Sequence, residues 1–211
     1  MIHFTGDSHF GHKNVIRYTG RPFVDVEEMN EKLIKNWNST VSPKDTIYHC
    51  GDFALSRPEV AISIIARLNG RKHLIFGNHD KSLRKNKEFL SYWESAQDLL
   101  EIKIEDETAK DNIRRITLCH YAMRIWNKSH YGSYQLYGHS HGSLADDPHS
   151  LSLDVGVDCW DYKPVDFHTI RERMSKKQWQ PIDHHGFGQQ AQNVATRCAR
   201  CGAGHWWPRW A

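Results

Sequence analysis

Residues 136–142 read LYGHSHG, so His139 and His141 stand two positions apart behind an apolar run and a glycine. In an extended segment, side chains at i and i+2 point the same way, and the two imidazoles face one point. Neutral imidazoles aimed at one point suit a divalent metal ion. Taken alone, an H-x-H reads equally well as a polar surface loop. Four further clusters tip the balance. FTGDSHFGH carries Asp7 and His9, YHCGDF carries Asp52, LIFGNHD carries Asn78, His79 and Asp80, and ITLCHY carries His120. Each cluster closes an apolar run, and four of the five directly follow a glycine.

The candidate ligands are Asp7, His9, Asp52, Asn78, His120, His139 and His141, with no thiolate among them. Carboxylate mixed with imidazole suits first-row divalent ions: Mn²⁺, Fe²⁺, Ni²⁺ or Zn²⁺. The set is too large for one tetrahedral ion. It suits two ions about 3.5–4 Å apart that share a bridging carboxylate. Such a pair lowers the pKa of a bridging water to give hydroxide near neutral pH, and it clamps phosphoryl oxygens during an in-line displacement.

The elements that must position these residues are short strands separated by helices. Strand-like runs fall at 2–6, 46–51, 73–77, 98–104, 113–120, 134–138 and 151–157. Apolar residues at helical spacing predict a helix over 26–38, with Asp25 and Glu28 as a capping box. A second helix is predicted over 57–69, capped by Ser56 and Glu59 and closed by Gly70. Weaker helical patterns cover about 81–93 and 166–177. Strands alternate with helices early and dominate later, which predicts a layered α/β fold with a mixed sheet. Ligand clusters at strand ends are where open α/β sheets build sites.

The ordered set D-x-H, GD, GNHD, H and GHSH resembles the calcineurin-like metallophosphoesterase superfamily over roughly residues 1–165. The stretches DSHFGHKNVIRY and HYAMRIWN look most like its small single-domain members from bacteria and phages. The resemblance implies a two-sheet β-sandwich flanked by helices. It also implies that Asp7, His9 and His141 hold one metal, that Asn78, His120 and His139 hold the other, and that Asp52 bridges them. His79 would be the catalytic acid. The reaction implied is hydrolysis of a phosphodiester or phosphomonoester, nucleotides included, by a metal-bridging hydroxide. Two other readings stay open: a nuclease acting on larger nucleic acid, and a binding scaffold without catalysis. One departure bears on the choice. Protein Ser/Thr phosphatases carry an acidic residue three positions after the bridging Asp, where this chain has Leu55.

The neighbouring residues admit two roles each. His79 could serve as the acid or merely orient Asn78. His12 could contact phosphate or simply pack. Lys13, Arg17 and Arg21 could steer an anionic substrate or form a solvated face. The long connection 123–133 is a candidate lid, which makes Arg124, Trp126 and His130 candidate substrate contacts. Asp80 reads as a residue that fixes its loop, and His49 and His73 read as structural.

Among 211 residues, 39% are hydrophobic and 25% charged, with a formal charge of +3. That suits one globular domain, here taken as 1–180, and is too mildly basic to argue for nucleic acid. No run approaches a membrane span. Five cysteines, an odd number, and the lack of an export signal predict reduced thiols in a cytoplasm. The oligomeric state is not readable. Residues 181–211 change character and read as a tail, disordered or folded as a small zinc appendage. Cys198, Cys201 and His205, joined by His184 or His185, are the candidate ligands there.

Overall fold

A computed structural model describes residues 1–182 of the chain. Its elements in order are β1 (Ile2–Thr5), α1 (Lys13–Thr19), α2 (Val26–Thr40), β2 (Thr46–His49), α3 (Pro58–Ile65), β3 (Arg71–Ile75), α4 (Lys87–Leu90) and β4 (Ser95–Gln97). They continue with β5 (Leu99–Glu105), β6 (Ile113–Cys119), β7 (Tyr134–Tyr137), β8 (Ser152–Asp154), β9 (Val165–Asp166) and α5 (Phe167–Ser175). Two sheets result, in the orders β4-β3-β2-β1-β9 and β5-β6-β7-β8. Strands β1 to β4 are parallel, with β9 antiparallel at the edge. In the second sheet β5 runs antiparallel to β6, while β6, β7 and β8 are parallel. This is the expected pair of sheets flanked by helices, in the mixed α/β class.

Alternation along the strands divides the apolar residues between two cores. Ile47 and Leu74 face α2 and α3, where Met29, Leu33, Ile34, Trp37, Ile64 and Ile65 are buried. Phe4 and Ile75 face the other way, onto Ile116, Leu118, Leu136 and Leu153 of the second sheet. The second core therefore glues sheet to sheet. It sets the parallel strand ends of both sheets side by side.

The capping box at α2 forms. Asp25 accepts from the Glu28 amide at 2.8 Å, and the Glu28 carboxylate reaches back to the Val24 amide at 2.7 Å. The box expected at Ser56 does not form. Pro58 takes the first helical position, where its fixed φ fits and its missing N–H costs nothing. The cap thus falls on Arg57, and the Ser56 hydroxyl bonds the Arg57 carbonyl. Helix α3 stops at Ile65, so Gly70 serves the entry to β3 rather than the helix end. The predicted helix over 81–93 shrinks to α4, because Asn86 caps a new turn by accepting from the Phe89 amide. The expected strand 98–104 is β5, and the chain crosses to it from β4, a strand of the other sheet that ends at Gln97 and carried no sequence expectation. Helix α1 and the two-residue β9 carried no sequence expectation.

Candidate metal centre

All seven expected ligands lie on loops that leave the carboxyl ends of β1, β2, β3, β6 and β7. The loops are zipped together beyond the strands. The Asp7 amide donates to the Gly51 carbonyl at 2.9 Å, and the His9 amide to the Asp52 carbonyl at 3.0 Å. Bridging the two sheets at this end, the Val157 amide donates to the Gly6 carbonyl at 3.0 Å. These bonds hold an unusual backbone. Asp7, His9, Asp52, His139 and His141 have φ of 53°, 51°, 55°, 68° and 48°. Left-handed backbone costs an L-residue roughly 1–2 kcal/mol. Asp and His tolerate it better than most. Strain concentrated on five ligands is the mark of a site that the surrounding fold over-determines.

Asp7, His9 and His141 form one cluster, with ligand atoms within 4.8 Å of one another. Asp7 and His9 are buried, and the Asp7 carboxylate accepts from the His139 amide at 3.0 Å through Oδ1. Its other oxygen, Oδ2, and His9 Nε2 are buried without a hydrogen-bond partner among the described residues. Gly156 is required here, since a Cβ at that position would sit 2.5 Å from Asp7 Oδ2. Burial pushes the Asp7 carboxyl up to about 7 and the His9 imidazole down to about 2. His141 donates from Nδ1 to Asp158 at 2.7 Å, which leaves Nε2 for the centre.

Asp52, His120 and His139 form the second cluster by the same measure. Backbone placement of Asp52 comes from Asp80, which is wholly buried and accepts from the amides of Asp52, Phe53 and Gly77 at 2.8–2.9 Å. This is the loop-fixing role expected for Asp80. His120 donates from Nδ1 to the Cys50 carbonyl at 2.8 Å. Its Nε2 then faces two acceptors, Asn78 Oδ1 at 3.1 Å and Asp52 Oδ2 at 3.4 Å. With its proton on Nδ1, a neutral His120 turns three lone-pair atoms toward one point, an arrangement that suits a cation. Burial disfavours charge on His120, but the bond and charge of Asp52 outweigh it and hold its pKa above the ordinary value. Burial likewise opposes charge on Asp52, yet His120 and the His79 amide bring it to about 2.

Asp52 Oδ2 lies between the clusters, 3.5 Å from His9 Nε2 and 3.4 Å from His120 Nε2. The donor set, the orphaned buried atoms and the shared carboxylate fit two divalent ions. The first would be held by Asp7, His9 and His141, and the second by Asn78, His120 and His139.

Among the remaining expectations, His79 and His12 come to this place. The His79 ring is 5.3 Å from that of His9 and 6.1 Å from that of His12, and it belongs to neither cluster. Among the described residues no carboxylate bonds the His79 ring, and Leu55 is exposed. His12 Nδ1 lies 3.3 Å from His9 Nδ1. His49 is buried against the Ser8 hydroxyl at 2.9 Å, and His73 bonds Ser95, as structural residues do.

Other expectations need correction. Trp126 is buried in the second core rather than open on a lid, and its indole N–H bonds Ser133 within its own loop. Arg21 is neither a solvated face nor a steering charge, for its side chain is wholly buried in an ion pair with Asp158. Arg124 is exposed on the rim of a cavity of about 440 Å³ that also touches Trp179 and Ile182, and it meets no expected ligand. His130 packs on Tyr131 at 4.2 Å and is a member of neither cluster. Cys198, Cys201 and His205 lie outside the described residues.

Two contributors escaped the sequence reading. Tyr121 is 47% exposed, with its ring 4.7 Å from that of His139 and its hydroxyl 3.5 Å from Asn78 Oδ1. Nothing in the sequence marked it. Asp158 did carry a weaker signal: it stands just past the strand-like run 151–157, two positions after Gly156.

Residues 2–156 match the family model of the calcineurin-like phosphoesterase superfamily domain. The chain belongs to this superfamily. An uncharacterized protein of Methanocaldococcus jannaschii is 33% identical over 182 residues, covering 83% of this chain and 92% of its own length. The gene 66 protein of Mycobacterium phage L5 is 27% identical over 179 residues, covering 74% of this chain and 86% of its own. Among solved structures, a protein of unknown function from Aquifex aeolicus superposes with a TM-score of 0.60 at 25% identity, covering 82% of this chain and 98% of that one. Superfamily membership and the two clusters together support a metal-dependent phosphoesterase. No helix among the described residues is long and apolar enough to cross a membrane.

Proposed function

We propose that the chain is a binuclear metal-dependent phosphohydrolase acting on a small phosphodiester or phosphomonoester, nucleotides included. The observation that carries this reading is the Asp52 carboxylate, set between His9 of one cluster and His120 of the other. Two divalent ions held there would lower the pKa of a shared water to near neutrality and offset the phosphoryl charge. The chain's own residues do the rest. The Asp52 carboxylate and the five imidazole and carboxylate groups around it fix where the phosphoryl group sits, on rigid loops that need no reorganisation. His79 stands beside the clusters without joining them, where an imidazole can pass a proton to the leaving oxygen. Tyr121, exposed beside His139, borders the approach to the second cluster.

The test is hydrolysis of p-nitrophenyl phosphate, bis-p-nitrophenyl phosphate and cyclic nucleotides with Mn²⁺, Ni²⁺, Zn²⁺ or Mg²⁺ after chelation. Metal-restored turnover that disappears in Asp52→Asn supports the reading. A protein that binds two ions per chain yet cleaves none of these esters would be a scaffold, and the reading would fail.

A further inference from the structure

Arg21 and Asp158 are 137 positions apart and meet in the interior, with side chains 0% and 7% exposed. The guanidinium spends every donor direction. Nε and Nη2 each lie 2.8 Å from an oxygen of Asp158, Nη2 also reaches the Asp7 carbonyl at 2.7 Å, and Nη1 reaches the Ser8 carbonyl at 3.0 Å and Met29 Sδ at 3.4 Å. The two carbonyls are those of the tight loop whose left-handed residues are Asp7 and His9. The same Asp158 oxygen that meets Nη2 accepts from His141 Nδ1 at 2.7 Å. One buried ion pair thus holds the whole first cluster: Asp7 through its carbonyl, the loop that carries His9 through the Ser8 carbonyl, and His141 through its ring. A buried pair adds little net stability over an apolar substitute. Its geometry points to another task.

We infer that Arg21 and Asp158 are positioning residues that set the affinity of the first cluster for its divalent ion. They lock His141 in the tautomer with Nδ1 protonated and Nε2 free, and they hold the loop carrying Asp7 and His9. This rests on the reading of the clusters as a metal centre. The second cluster has a buried carboxylate, Asp80, behind its Asp52 loop but none behind its imidazole His120, which is held by a backbone carbonyl that brings no charge. Carboxylates behind a ligating imidazole fix its orientation and raise its basicity, and their loss typically costs about 10–100-fold in metal affinity.

Asp158→Ala is the discriminating variant. It removes the acceptor at His141 Nδ1. An imidazole with no acceptor there carries its proton on Nε2, the atom the metal needs. The readouts are imidazole ¹⁵N shifts of chelated protein at pH 9, and equilibrium dialysis against Mn²⁺. Wild type is expected to show His141 protonated at Nδ1 and to take up two ions. The variant is expected to show the opposite tautomer, to hold one ion as tightly as wild type, and to bind the other about 10–100-fold more weakly. A melting temperature measured in chelator controls for simple unfolding. Unchanged tautomer and unchanged affinity for both ions overturn the inference, as does equal weakening of both. Wild type that takes up no divalent ion overturns the reading of the site itself.

Discussion

The two ligand clusters share a carboxylate neighbourhood but are built differently. Asp7 and His9 of the first are buried, and its third member, His141, leans on an anion that is itself clamped by Arg21. The second contains His139, which is exposed, and His120, which leans on a neutral carbonyl. Tyr121 covers only its outer side. The difference teaches a division of labour. On the proposed reading, a buried, anion-backed set of ligands would hold its ion firmly, while an open set would exchange ligands with an incoming phosphoryl group. Burial also leaves an Asp7 oxygen in the first cluster with no hydrogen-bond partner among the described residues, a gap that an ion would fill.

The sharpest break comes at the shared carboxylate. Asp52→Asn removes the charge that serves both clusters, so both ions should be lost on dialysis. Turnover should fall by at least ~10²–10³-fold, the usual cost of losing a preorganised charged group. Metal analysis and kcat on the same sample check this. Two ions retained with normal turnover would remove Asp52 from the centre.

Next in size is His79→Ala. An alkoxide leaving group needs a proton in the transition state, and general acid catalysis contributes about 10²–10⁴-fold. kcat on an alkyl ester should drop within that range, whereas p-nitrophenyl esters, whose leaving group departs unprotonated, should lose far less. Both ions should stay, since His79 belongs to neither cluster. Equal losses on both substrates together with lost metal would make it a ligand.

The clusters can also be separated by removal. Titrating a Mn²⁺-loaded sample with chelator should release the ion of the second cluster first, at a free-metal concentration about 10–100-fold higher than the other. A single concerted release would erase the distinction drawn between them.

The smallest effect on function is expected far from either cluster. Asp106 is buried and accepts from Thr108, Arg114 and Arg171. Burial opposes its charge, but these bonds hold the carboxyl below its ordinary value. A depressed carboxyl contributes stability that is present above the unfolded pKa near 4 and is lost as pH falls through the folded one. Asp106→Asn should therefore lower the melting temperature at pH 7 by several degrees, for a loss of about 1.5–3 kcal/mol. The gap to wild type should close below pH 4. Metal affinity should not change, and a change would show that the clusters feel the distant edge of the second sheet.

Much of the centre was legible because its signals are local. A strand must end, a glycine lets the loop turn, and the residues after it are Asp, Asn or His. Asp52, Asn78 and His139 could be read as candidates on those grounds without a structure. The support behind them was not local. Arg21 read as a surface charge because nothing near it in the chain could neutralise it, and its partner stands at 158. Trp126 sat in a loop long enough to be a lid, yet its indole found Ser133 and an apolar wall. The cap at Ser56 failed against Pro58, a competition the pattern contains but does not resolve.

By itself, then, the sequence determined which atoms can bind metal and which strand ends carry them, since residue chemistry and alternation act over a few positions. The tertiary structure decided the rest. It set the switch between sheets at Asp98 and the left-handed loops that aim Asp7, His9, Asp52, His139 and His141 inward. It also made the meeting of Arg21 with Asp158 behind His141. Those depend on contacts between segments distant in the chain, 137 positions for Arg21 and Asp158, and only packing the elements in three dimensions brings such segments within hydrogen-bonding distance.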